Sequence, residues 1–183
     1  MGDWEAASLS FEDVRVPDRN LLGEPGGGME LALNWIGQKR YVIPSRAAER
    51  LPGMAVEYAK IRKSMGHPIA DYQAIQWQIA DSQVEIESTK WLTLYAAWRS
   101  QQGLDARHAT SIAKLHGAVM ANEVMDRVLQ IHGGLGYAKE LPIERWYRNV
   151  RVWRIFEGTD EIQRRTIARN LLKGHATLGS IGE

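Results

Sequence analysis

The sequence predicts an all-α fold: an up-and-down four-helix bundle with extra short helices toward its C-terminal end. Three observations predict it. Two long stretches, about 71–102 and 106–132, carry apolar residues at spacings of three, four and seven, the repeat of one helix face. Both end on helix-stopping glycines, Gly103 and Gly133-Gly134. Strand-like patterning is confined to residues 7–16. Two helices of this length are roughly 40 to 48 Å long, the scale of an extended antiparallel bundle.

Taken in order, Leu9, Phe11, Val14 and Val16 make a short β-like segment closed by Pro17-Asp18-Arg19-Asn20. One strand is not stable alone, so this piece reads as the last strand of something that precedes it. Gly23 to Gly28 forms a joint, which divides the chain into residues 1–25, a helical domain over 26–174 and a loose tail over 175–183. Met29, Leu31, Leu33, Trp35 and Ile36 begin a helical segment expected to end near Met65-Gly66-His67-Pro68. Pro44 and Pro52 each remove a backbone donor, so it is one bent helix or two pieces. In the second helix, Trp77, Ala80, Val84, Trp91, Leu94, Tyr95 and Trp98 are expected to form the buried face. Asp105 caps a third, whose Ile112, Leu115, Val119, Val124, Val128 and Ile131 face inward. Leu141-Pro142 starts a short fourth helix. Thr159 caps a fifth, with Asp160 and Glu161 in its first turn and Gly174 as its stop.

Composition narrows the function. The chain has 183 residues, 44% hydrophobic and 25% charged, with 23 basic and 22 acidic side chains. A net charge of +1 makes no field that gathers nucleic acid or an anionic membrane. Arg145-Trp146-Tyr147-Arg148 is flanked by the acids Glu140, Glu144 and Glu157, which with the neutral overall charge fits a packed, salt-bridged interface better than a nucleic-acid surface. The absence of cysteine excludes disulfides and thiol chemistry. It suits a reducing compartment, and a cytoplasmic setting is expected, or a mitochondrial matrix in a eukaryotic source. No run approaches the ~20 apolar residues of a membrane span. The five histidines have no metal-ligand spacing, so no metal is expected. Seven tryptophans point to large apolar contacts, subunit interfaces among them.

Three stretches can carry chemistry. In Arg154-Ile155-Phe156-Glu157-Gly158-Thr159-Asp160-Glu161-Ile162-Gln163 an apolar run stops at a carboxylate, a glycine frees the backbone and a threonine opens a helix. Glu157 is either a rigidly held catalytic base or a partner of the helix dipole. Gln130-Ile131-His132-Gly133-Gly134 offers bare backbone to a phosphate, or simply caps a helix. Arg62-Lys63-Ser64 places two cations and a hydroxyl at a helix C-terminus, as a dipole partner or as a phosphate clamp.

Six stretches in order resemble the C-terminal half of an acyl-CoA dehydrogenase: Phe11 to Pro17; Leu21-Leu22-Gly23-Glu24; Arg62 to Gly66 with Pro68 to Gln73; Gln130 to Tyr137; Glu144 to Arg148; and Phe156 to Gln163. The resemblance runs over about residues 9–173. It implies a helical bundle preceded by the remnant last strand of a middle β-domain. It implies FAD and α,β-dehydrogenation of an acyl-CoA thioester to a trans-2-enoyl-CoA, with Glu157 as the base that takes the α-proton. The family's other position for the base is Lys39 here, which is no carboxylate.

By the same resemblance, Arg62, Ser64 and Gln73 contact FAD from a neighbouring subunit. Gln130, Ile131, His132, Gly133 and Gly134 clamp its phosphate and adenosine end, and Thr159, Asp160 and Glu161 form a further FAD turn. Gly158 lies beside the thioester, and Arg40 and Arg169 near the CoA entrance. Met65 stands where an aromatic residue is common. The implied partners are acyl-CoA, a homodimer or homotetramer built through the bundle, and an electron-transfer flavoprotein. The alternatives are an oxidase-type relative using oxygen and a non-catalytic helical assembly module. The chain by itself is expected to be inactive, with weak FAD retention.

Overall fold

The computed structural model describes residues 7–39 and 51–179, so Arg40 and Pro44 lie outside the described residues. Seven α-helices are found among them: α1 (Gly28–Lys39), α2 (Leu51–Ile61), α3 (Gln73–Gln101), α4 (Arg107–His132), the single turn α5 (Gly134–Tyr137), α6 (Ile143–Arg151) and α7 (Asp160–Leu172). One two-stranded hairpin, β1 (Lys63–Ser64) with β2 (His67–Pro68), joins α2 to α3.

Helix α4 is the axis of the fold, because α2, α3, α6 and α7 all pack on it. Its sequence explains this position. Ala109, Ala113, Gly117, Ala118 and Ala121 are small, so neighbouring helices approach closely. Its second half carries Met120, Val124, Met125, Val128 and Ile131, which pack with Ala55 and Ala59 of α2 and with Ile143 and Val150 of α6. Each large apolar side chain fully buried there contributes about 1.5–3 kcal/mol.

Polar ties fix the register of the bundle. Arg127 of α4 donates to both carboxylate oxygens of Glu85 on α3, at 2.7 and 2.8 Å. The Thr89 hydroxyl and His116 Nδ1 meet at 2.9 Å across the same pair of helices. Tyr58 of α2 stacks on His132 of α4 with centroids 4.5 Å apart. Asn122 of α4 donates to the Val150 carbonyl at 3.1 Å. Helices α6 and α7 together form one broken return helix that runs antiparallel to α4, and the bundle reads up-and-down from α2.

Several expectations change. Residues 7–16 form no strand; Leu9, Phe11, Val14 and Val16 are exposed and no second strand pairs with them among the described residues. Helix α2 stops at Ile61 and does not reach residue 65. Met65 and Gly66, at φ 50° and 87°, make a two-residue left-handed hairpin turn that joins the extended pairs Lys63–Ser64 and His67–Pro68. The tryptophan face of α3 is outward. Trp77, Val84, Trp91, Leu94 and Trp98 are exposed, with Trp91 at 67%, while Ile79, Ser82, Ile86, Thr89 and Ala96 face the core. Two apolar stripes share this helix, and the one without tryptophan packs inward against the small residues of α4.

Helix ends follow local chemistry. Asp105 acts one position before the cap: its Oδ1 accepts from the Arg107 amide at 2.9 Å, and Ala106 occupies the N-cap. Pro142 is likewise the N-cap of α6 and not a residue of its first turn. Helix α7 ends in a Schellman motif. Gly174 (φ 71°) donates to the Leu171 carbonyl and His175 to that of Asn170, at 3.1 and 2.9 Å. Among the described residues no helix is long and apolar enough to cross a membrane.

Candidate active site

The break between α6 and α7 is a turn held by several hydrogen bonds. Helix α6 tightens into a 3₁₀ turn over Val152–Arg154, and Ile155 and Phe156 both donate back to the Val152 carbonyl. Two residues then reverse the backbone: Glu157 at φ 53° and Gly158 at φ 94°. Glycine takes this geometry freely, but a side-chain-bearing residue there costs about 1–2 kcal/mol. The surroundings must therefore hold Glu157 in place.

Four groups do so. Thr159 caps α7 by accepting from the Ile162 amide at 3.4 Å. The Arg154 guanidinium donates to Asp160 Oδ2 at 2.7 Å and closes the turn from end to end. Lys114, on α4, donates through Nζ to the Gly158 carbonyl at 2.7 Å. Gln163, on α7, donates through Nε2 to the same carbonyl at 3.1 Å and to that of Glu157 at 3.4 Å. Lys114, Asp160 and Gln163 are all buried, at 3%, 2% and 1% exposure. Glu157, Gly158 and Phe156 are half-buried, whereas Ile155 faces solvent. The carboxyl of Glu161 sits below the usual carboxylate range, through its own backbone amide first and the Thr159 hydroxyl second.

The expected site residues fall into three places. Glu157, Gly158, Thr159, Asp160 and Glu161 share the turn and the start of α7. Arg62, Ser64 and Gln73 gather with Gln130, Ile131, His132, Gly133 and Gly134 at the far end of the bundle. There Tyr58 stacks on His132, the Arg62 carbonyl accepts from Ile69, and Ile131 packs in one cluster with Ile69. Arg62, Ser64, Gln73, Gln130, Gly133 and Gly134 are exposed; Ile131 and His132 are buried. Lys114 and His132 mark the two groups on α4, about 27 Å apart at 1.5 Å per residue. Arg169 is exposed at the opposite end, lining a cleft with Asp105, Arg107, Arg165 and His175. Arg40 is outside the described residues.

Sequence reasoning missed Lys114, Gln163 and the Arg154–Asp160 pair. One signal pointed to Lys114: it lies three, four and seven residues before Gly117, Ala118 and Ala121, so it shares their buried stripe. Nothing comparable marked Gln163. The second oxygen of Asp160, Oδ1, is buried with no hydrogen-bond partner among the described residues.

The family model for the C-terminal domain of acyl-CoA dehydrogenases matches residues 26–172. The mouse (Mus musculus) mitochondrial short-chain specific acyl-CoA dehydrogenase is 40% identical over 172 residues, covering 92% of this chain and 42% of the relative. The butyryl-CoA dehydrogenase structure from Megasphaera elsdenii superimposes with a TM-score of 0.83 at 34% identity, over 88% of this chain and 43% of that one. The structure of PigA with FAD and proline does so with a TM-score of 0.81 at 29% identity, over 88% and 43%. The chain thus spans less than half the length of the proteins it matches.

Proposed function

The chain belongs to the acyl-CoA dehydrogenase family, and on that premise we propose that it supplies the catalytic base and part of the flavin grip for α,β-dehydrogenation of an acyl-CoA thioester. Glu157 takes the α-proton, and the product is a trans-2-enoyl-CoA. The observation that carries the reading is the turn at Glu157, a left-handed carboxylate residue held by buried donors from two helices. A base fixed in this way spends little free energy on orientation when substrate arrives.

The residues present suit FAD. Arg62 offers a cation, Ser64, Gln73 and Thr159 offer neutral donors, and a side chain built at Gly133 or Gly134 meets nothing within 4 Å, so their backbone is open to close approach. The buried, unpartnered Asp160 Oδ1 is an acceptor for a ligand hydroxyl or N–H. When bound, FAD supplies the hydride acceptor. Around it Thr159, Asp160 and Glu161 orient the flavin end, Gly158 presents backbone beside the thioester, and Glu157 receives the proton on its carboxylate. Arg169 and Arg40 serve the CoA entrance.

The distance between the turn and the Arg62–Gly134 end supports assigning the latter residues to the flavin of a neighbouring subunit. That requires a homodimer or homotetramer, for which the exposed α3 stripe is the contact. An electron-transfer flavoprotein is the proposed acceptor of electrons, in a cytoplasmic or matrix setting.

The test is Glu157→Gln in the flavin-loaded enzyme that carries this domain. Turnover is expected to fall by at least about 10³-fold, the range for a removed acid–base group, with acyl-CoA affinity within about twofold. Unchanged turnover moves the base elsewhere.

A further inference from the structure

We infer that Arg154 is a positioning residue: through the buried Asp160 carboxylate it fixes the span between the base and the cofactor-facing turn. The inference rests on the reading of Glu157 given above, but the strap can be measured independently of it. Arg154 ends the 3₁₀ turn and Asp160 is the first residue of α7, so their contact at 2.7 Å encloses residues 155–159, with Glu157 at the centre. Dipoles explain why a cation ends one helical turn and an acid starts the next helix. They do not explain why the two side chains meet across the loop.

The pair is not built as a stabilising fork. In the same chain Arg127 takes both oxygens of Glu85, at 2.7 and 2.8 Å, and so satisfies that carboxylate. Arg154 donates through Nε to Asp160 Oδ2, while Oδ1 is buried without a hydrogen-bond partner among the described residues. An ion pair that is buried and half satisfied contributes less to folding than apolar residues of the same shape. What it supplies is a fixed distance. In the proposed reaction Glu157 receives the α-proton, and the neighbouring carbon loses hydride. Bonds to two adjacent carbons break, so the base and the turn of Thr159, Asp160 and Glu161 must keep one separation. Arg154 belongs to the segment before the base and Asp160 to that turn, and their contact sets the separation. Arg154 acts on the chemistry only through Asp160.

A double-mutant cycle tests the strap. Arg154→Met leaves the buried carboxylate without its cation, Asp160→Asn removes the charge and keeps the shape, and the double variant removes both charges. In the flavin-loaded enzyme Arg154→Met is expected to lower kcat about tenfold with KM within about twofold, as for a misplaced reacting group. The double variant is expected to be no slower than Asp160→Asn alone, because Arg154 has no other route to the site. Its Tm is expected to return to within about 2 °C of wild type, since no charge is stranded, while its kcat stays low. Losses in kcat that multiply overturn the strap. A kcat that recovers together with Tm overturns the positioning role, and so does an unchanged kcat in Arg154→Met when Glu157→Gln inactivates the enzyme. If Arg154→Met does not fold, Arg154→Gln completes the same cycle.

Hydrogen exchange in the full 183-residue chain gives a readout apart from turnover. The Phe156 amide is bonded to the Val152 carbonyl and the Ile162 amide to the Thr159 hydroxyl, one on each side of the base. Both are expected to exchange about tenfold faster in the double variant, with the core amides of Val124 and Val128 within about twofold of wild type. Unchanged exchange at both turn amides overturns the strap whatever the kinetics. If Glu157→Gln itself leaves turnover intact, the base assignment fails, and the exchange comparison still decides whether Arg154 holds the turn.

Discussion

Asp105 and Arg107 close the turn between α3 and α4. The Arg107 guanidinium donates to both carboxylate oxygens at 2.8–3.2 Å and holds Asp105 at about 2, from 3.8. A depressed carboxyl stabilises the fold above its unfolded value near 3.8, and that contribution disappears as pH falls through about 2. The Asp105 side chain is 58% exposed, so screening limits the effect to at most about 1 kcal/mol. Urea midpoints for wild type and Asp105→Asn are expected to differ at pH 5 and converge near pH 2; a gap constant with pH counts against the assignment. At this scale much of the turn around Glu157 was legible. Glycine after a carboxylate and threonine before an apolar run are local signals, and Thr159 does cap α7. Lys114 was not read from sequence because its partner is 44 residues away and lies on main chain, which no side-chain motif records.

Elements repeat this division between local and distant causes. The ends of α3, α4 and α7 were legible because Gly103, Gly133 and Gly174 take positive φ values that stop helices. The hairpin at 63–68 was not, since Met65 is an unusual residue for a left-handed turn position. The inward face of α3 was misread because hydrophobicity marks two stripes and only the neighbour decides which is buried. Gly136 shows the neighbour's influence at its sharpest. A Cβ there meets the Leu129 carbonyl oxygen and His132 Cβ at 2.8 Å, in the α5 turn that packs back on α4. Gly136→Ala is expected to destabilise by about 1–3 kcal/mol, as overpacking does. A thermal scan should show Tm lowered by about 2–4 °C per kcal/mol for a chain of this size. An unchanged Tm means that the Leu129 backbone yields at no cost.

At the scale of the whole molecule, the outward stripe of α3 is an exposed apolar face. Trp77, Val84, Trp91 and Trp98 are spaced seven apart, the repeat that seats one helix along another. Trp91→Lys is expected to shift the chain toward monomer, read as mass by light scattering at micromolar concentration; an unchanged mass places the contact elsewhere. The central position of α4 has a consequence for assembly of the chain. The connections at 102–106, 133–142 and 155–159 are short, so α3, α6 and α7 each dock on α4 by closing a small loop. Doubling a loop costs only about 0.6 kcal/mol, so these closures are entropically similar and their sequence can follow the order of the chain. On that order α7 arrives last, and with it Gln163 and the carbonyl that Lys114 awaits. The left-handed turn at Glu157 is then completed by the final contact that the bundle makes, and a nascent chain stopped before residue 158 lacks the carbonyl to which Lys114 donates in the finished fold.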